Sequence, residues 1–143
     1  MTIDKIKVTQ LKKIEMENGN IYKGIDITEN DCSQFGELYF SFINENAIKA
    51  WKKHDLMVMN LIVPVGKVKF VFFCEKTNLF REEIIGRNNY KRLTVPPNIW
   101  FGFMGLDKQT NLVVNFASIP HDEKEVKRIE LKDNKILYNW RSF

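Results

Sequence analysis

Two nearly continuous apolar runs, Met57-Val58-Met59-Asn60-Leu61-Ile62-Val63 and Val68-Lys69-Phe70-Val71-Phe72-Phe73, flank the reversal signal Pro64-Val65-Gly66-Lys67. Short runs of this kind, rich in Val, Ile and Phe, read as strands covered on both faces, as at the centre of a two-sheet core. The same grammar recurs along the chain, with β-branched and aromatic stretches broken by Gly, Pro, Asn or Asp. Strands are expected near Lys5 to Leu11, Lys12 to Glu17, Asn20 to Ile25, Glu37 to Ile43, Ile48 to His54, Met57 to Val63 and Lys67 to Cys74. Others are expected near Glu82 to Ile85, Tyr90 to Val95, Trp100 to Gly105, Leu112 to Ser118, Val126 to Leu131 and Ile136 to Trp140.

Asn18-Gly19 suits a type I′ turn, and Pro64-Val65-Gly66-Lys67 and Gly86-Arg87-Asn88-Asn89 suit further tight reversals. Read as hairpins, they make the sheets antiparallel. Only Asn44 to Lys53 hints at a helical period, and its neighbours are β-rich. The chain is therefore read as all-β: a sandwich, a jelly roll or a closed barrel.

A length of 143 residues fits one domain, 1–143, and 44% hydrophobic with 28% charged residues excludes a disordered or fibrous chain. The net charge of +4 favours anionic ligands. Acids and bases are interleaved without a basic stripe, which argues against a nucleic-acid partner, although the lysine and aromatic alternation in KVKFVFF keeps a single-strand binding module as a third option. Cys32 and Cys74 fit no CxxC or zinc spacing, so reduced thiols are the simplest reading and a disulfide stays open. The opening MTIDKIKVTQLKK lacks the apolar stretch of a secretion signal and no run reaches membrane-span length. A soluble, cytoplasmic protein without a membrane partner is expected.

The run Leu93-Thr94-Val95-Pro96-Pro97-Asn98-Ile99-Trp100-Phe101-Gly102-Phe103 resembles the L-x-I-P-x-G-x-x-H-G-F segment of the cupin-superfamily sugar-nucleotide epimerases, typified by dTDP-4-dehydrorhamnose 3,5-epimerase. Val63 to Val71 is similar to that family's Val-x-x-Gly-x-Val strand turn, and IKAWKKH, Ile48 to His54, stands where the family has R-G-L-H. Met16 to Tyr22 resembles the family's E-R-G-x-F strand, which there crosses to the partner subunit's pocket. The resemblance implies a double-stranded β-helix, the cupin jelly roll, usually a homodimer, acting without a cofactor on a nucleotide-diphosphate sugar of the 4-keto-6-deoxy class. It also implies departures. The family's catalytic histidine falls on Lys52, or on His54 after a two-residue shift; its second histidine falls on Phe101; its acidic tyrosine falls near Val114 or Asn115. For the carboxylate that orients the base, Asp122 and Glu123 are available.

Ketone-assisted epimerisation needs a base for the proton α to the carbonyl, a cation or donor on the enolate, and an acid for the opposite face. An imidazole with an ordinary pKa of about 6.5 suits the first task and an ammonium group the second, which singles out His54 and Lys52, with Lys52 the alternative base if desolvation strips its proton. On a regular strand these two share one face, with Lys49, Trp51 and Lys53 on the other. Lys49 and Arg92 are candidates for the diphosphate, Trp51 for stacking on the base, and Tyr39, Tyr90 or water for the acid. Asn60 and Asn115 interrupt apolar strands, where an unpaired amide costs about 1–3 kcal/mol, so each is a candidate to face a ligand. His121-Asp122-Glu123 cannot converge on one metal ion from consecutive positions, and is read as part of a loop, Pro120 to Lys124; no metal site is expected. Against the enzyme stands a second class of function: a cupin that binds nucleotide sugars or carbohydrate without altering them, in which the lysines and Trp51 are surface and packing groups.

Overall fold

The computed structural model describes residues 2–31 and 34–141. Its strands are β1 Lys7–Gln10, β2 Lys13–Ile14, β3 Ile21–Tyr22, β4 Glu37–Ile43, β5 Ile48–His54 and β6 Met59–Val65, then β7 Lys67–Cys74, β8 Leu79–Gly86, β9 Lys91–Val95, β10 Trp100–Gly105, β11 Asn111–Ala117 and β12 Val126–Arg128. The only helical turns among the described residues are three short 3-10 segments, Ile3–Lys5, Glu123–Glu125 and Leu131–Asp133. None is long or apolar enough to cross a membrane.

Two five-stranded antiparallel sheets face each other, in the orders β1-β9-β6-β11-β4 and β12-β5-β10-β7-β8. From β4 onward the chain alternates between them, except where β7 and β8 follow one another in one sheet, in the manner of a cupin jelly roll. Met57, Met59, Leu61 and Val63 from one side meet Val68, Phe70 and Phe72 from the other. Each such side chain contributes about 1.5–3 kcal/mol on burial. Both strands around Pro64 are covered twice, as their sequence required. Behind β7, Val71 packs with Trp51, Trp100 and Met104 under Ile136 and Trp140. Behind β6, Ile62 packs with Leu11 and Tyr90.

Several sequence expectations are corrected. Pro64-Val65-Gly66-Lys67 and Gly86-Arg87-Asn88-Asn89 are not hairpins, because β6 and β7, like β8 and β9, lie in different sheets; these reversals are corners. Gly66 sits at φ +85°, and a Cβ there would lie 2.3 Å from the Thr110 carbonyl oxygen, so the corner needs glycine. The hairpin that the sequence concealed joins β7 to β8, turning where Asn78 adopts φ 56°. In the β2–β3 loop the Gly19 amide donates to the Met16 carbonyl, which centres the turn on Glu17 and Asn18, and only Gly19 has positive φ, so it is not type I′. Ile136 to Trp140 is no strand: Ile136, Tyr138 and Trp140 hold an irregular strap against the outer layer. β12 stops at Arg128, short of Leu131. Cys32 lies outside the described residues, and Cys74 is buried at the end of β7.

Candidate active site

The pairing of β5 with β10 contains a register shift: Trp100 and Phe101 oppose Lys53 and Lys52, but Gly102 and Phe103 oppose Ala50 and Lys49. The residue passed over is Trp51, and one unpaired residue reverses the alternation of side chains. Lys49 therefore joins Lys52 and His54 on the inner side, contrary to the regular-strand expectation. Gly102 makes room for this, since a Cβ on it would stand 2.5 Å from the Ala50 Cβ. The Ala50–Trp51 peptide is cis. The Trp51 ring lies in the outer layer, 5.3 Å from the Trp140 ring and edge-on to Tyr138, and is closed to a stacking base. Lys53 also points outward, 2.9 Å from Glu75 and over the Trp100 ring.

Between the sheets lies a cavity of about 440 Å³. Its apolar lining comes from Met57, Met59, Leu61, Phe101, Phe103 and Val113. Its polar lining comes from β5, from Tyr39 and Ser41 on the edge strand β4, from Asn115 on β11, and from His121 and Arg128.

His54 is 8% exposed and its Nδ1 lies 2.6 Å from Glu125 Oε1. The other carboxylate oxygen of Glu125 accepts from the amides of Leu56 and Met57 at 3.1 and 3.4 Å. Burial raises the Glu125 pKa, but the His54 hydrogen bond and these amides outweigh it and leave the carboxyl below its ordinary value. An ionised Glu125 accepts the Nδ1 proton, which leaves the Nε2 lone pair as the ring's basic site. The Phe101 ring stacks on His54 at a centroid distance of 5.8 Å, so hydrocarbon stands where the resemblance put a second histidine.

Lys52 faces the same cavity; burial first, then the positive charge of Arg128, lowers its pKa, and Glu123 opposes them. Glu123 forms two hydrogen bonds with Arg128, at 2.5 and 2.9 Å, and accepts one from His121, which holds its carboxyl down to about 2. Lys49 reaches across to β4, donating to the Ser41 hydroxyl at 3.2 Å and the Phe42 carbonyl at 2.7 Å. The carboxylate that meets His54 is thus neither Glu123 nor Asp122, which caps the Lys124 amide. Glu125 is 71 residues from His54 in sequence, and no spacing rule reaches that far.

Tyr39 is the one tyrosine of the two candidates that enters the cavity; Tyr90 is buried on the outer side of the same sheet, against Ile62, and donates to the Lys23 carbonyl. The Tyr39 hydroxyl donates to Glu37 at 2.9 Å, and burial followed by that carboxylate pushes its pKa up to about 12. Its cross-strand partner is Asn115, where the resemblance placed an acidic tyrosine. Asn115 Oδ1 is buried with no hydrogen-bond partner among the described residues. Two expected ligand residues lie elsewhere. Arg92 is fully buried behind β9, paired with Glu29 at 2.5 Å and Asp31 at 3.0 Å, and Asn60 faces outward to bond Thr94 and Asp31. Both Arg92 and Asn60 therefore tie the segment around Gly24 to Asp31 to the sheet and do not reach the cavity.

No protein-family model matches the chain. It is 24% identical to the spore coat polysaccharide biosynthesis protein SpsL of Bacillus subtilis, over 98% of this chain and 97% of that protein. The epimerase RmlC of Legionella pneumophila, solved with dTDP-4-keto-L-rhamnose, shares the fold with a TM-score of 0.83 at 15% identity, covering 99% of this chain and 81% of that one. A dTDP sugar isomerase from Desulfovibrio desulfuricans G20 superposes with a TM-score of 0.91 at 31% identity, covering 96% of this chain and 91% of that one. With that identity over nearly the whole of both chains, on a jelly roll that encloses a carboxylate-backed histidine, the chain belongs to the cupin-fold family of sugar-nucleotide epimerases and isomerases.

Proposed function

We propose that the protein is an epimerase or isomerase of a nucleotide-linked 4-keto-6-deoxy sugar in surface-polysaccharide biosynthesis, working through an enolate. The observation that carries this reading is the His54–Glu125 pair at 2.6 Å on the wall of the cavity. His54 Nε2 takes the proton α to the ketone, and the electrons of the broken C–H bond pass into the C–C bond as the carbonyl oxygen becomes negative. Lys52, on the same wall, holds that oxygen. Glu125 keeps the imidazole in the tautomer with a free Nε2 and stabilises its charged form. The diphosphate lies near Lys49 and Arg128, which line the cavity, since Arg92 is fully buried away from it.

The protein acts as a homodimer on this reading. Leu38, Phe40 and Phe42, 44%, 61% and 61% exposed, alternate along the edge strand β4 and present an apolar row that a second copy would cover.

Incubation with a 4-keto-6-deoxyhexose nucleotide in heavy water should place deuterium on the carbon next to the ketone, and His54→Asn should stop it. Absence of exchange with every sugar of a panel overturns the enzyme reading. A rise in melting temperature without exchange would point to a protein that binds such sugars and leaves them unaltered.

A further inference from the structure

Besides the imidazole, the cavity holds a second carboxylate-backed group. Tyr39 and Glu37 stand two residues apart on one face of β4, and the phenol donates its only proton to Glu37 Oε1 at 2.9 Å. That same oxygen accepts the His121 amide at 3.0 Å, so Glu37 is fixed from the far side by backbone. With its proton committed, Tyr39 offers the cavity lone pairs, not an O–H. Across the strand pair, Asn115 adds an acceptor oxygen that has no partner among the described residues.

We infer that Glu37 is a positioning residue that turns Tyr39 into an acceptor for a substrate hydroxyl, so that Tyr39 does not serve as the acid that reprotonates carbon. The inference rests on the enolate reading of the same cavity. As the enolate shifts to the neighbouring ketone, the O–H electron pair becomes the new C=O bond and the C=C pair takes the proton held by His54; the hydroxyl proton passes to the Tyr39 oxygen and the phenol's own proton crosses to Glu37, which returns it by the same route to the oxygen of the former carbonyl. The phenol is neutral before and after, and Glu37 ends the cycle with its charge restored. A phenol beside a carboxylate is a poor carbon acid, because donation would leave two adjacent anions. The charged and titratable groups around Tyr39 are Glu37 on its own strand, His54, Lys52 and Lys49 from β5, Glu125 and His121 from the segment before β12, Arg128 from β12, and Glu130 just after it.

Glu37→Gln keeps an oxygen for both hydrogen bonds and removes only the charge, which makes it the deciding variant. Turnover should fall about 10–100-fold with KM little changed, and the ratio of solvent-deuterium incorporation to product formed should rise, since His54 is untouched; Glu37→Asp should recover part of the loss. Unchanged or faster turnover would mean that Tyr39 is the carbon acid, whose strength the neighbouring charge had suppressed. An equal fall in exchange and product would mean that Glu37 only holds the wall together. Both results overturn the inference. A substrate-independent measurement separates its failure from failure of the enolate reading: ultraviolet titration, with Tyr39→Phe as the blank, should find the Tyr39 phenol near 12 in the wild type and lower in Glu37→Gln. No change there also overturns it.

Discussion

Phe101 lies face to face with His54, ring planes 19° apart. The phenyl ring gives the imidazole an apolar backing that cannot titrate. It is 7% exposed and borders the cavity, so Phe101→Ala leaves a void beside the imidazole. Denaturant unfolding should show a loss of about 3 kcal/mol, the lower end for a buried phenylalanine, because the site already adjoins empty space. Turnover should fall as well, since the ring would no longer be held flat.

Glu125→Gln should lower kcat by about 10²–10⁴-fold with little change in KM. A glutamine amide donates to Nδ1 and drives the ring proton to Nε2, which removes the lone pair from the cavity. Steady-state kinetics and deuterium incorporation should fall together.

Glu125 also sets a pH dependence of stability. Its carboxyl has a lower pKa in the folded chain than the value of about 4.3 expected when unfolded. The stability it contributes is therefore fully present above about pH 4.3 and is lost as pH falls through the lower folded value. Unfolding free energy followed across this range should decline less steeply in Glu125→Gln, by the uptake of one proton.

Arg128→Gln tests the amine. Removing the guanidinium deletes one positive neighbour of Lys52 and releases Glu123 from its two hydrogen bonds. Both changes favour the ammonium form. The alkaline limb of the pH–rate profile should move to higher pH, and a downward move would contradict the assigned electrostatics.

Phe40→Lys addresses the dimer. A charge in the middle of the exposed row on β4 should convert the wild-type dimer to monomer at micromolar concentration, as read by sedimentation or native mass spectrometry. A wild type that is already monomeric would end that proposal.

Strand identity was largely written in the residues. β4, β5, β7 and β10 have the bounds that the residue pattern predicts, and the apolar runs around Pro64 did become the doubly covered strands. Local sequence reaches this far because strand burial depends on what lies two residues away. Which reversals are hairpins and which are corners was not local: Gly66 and Gly86 permit a tight turn, and only the partner strand decides the sheet to which the chain returns. The same limit hid the site. His54 and Lys52 could be chosen from residue chemistry, and their shared face follows from alternation. The inward turn of Lys49 arises from a one-residue slip against β10, and Glu125 is brought to His54 by β12 closing on β5, with Val126 opposite His54. Arg92 and Asn60 were attractive as ligands by type, yet their strands turn those side chains to the outer face, where a covering segment satisfies them. The sequence by itself determined an all-β chain with a histidine and an amine on one strand. Which carboxylates stand behind the histidine and the tyrosine, and whether each faces a cavity or a covered wall, was decided by tertiary structure, because hydrogen bonds between distant strands exist only once both sheets have closed.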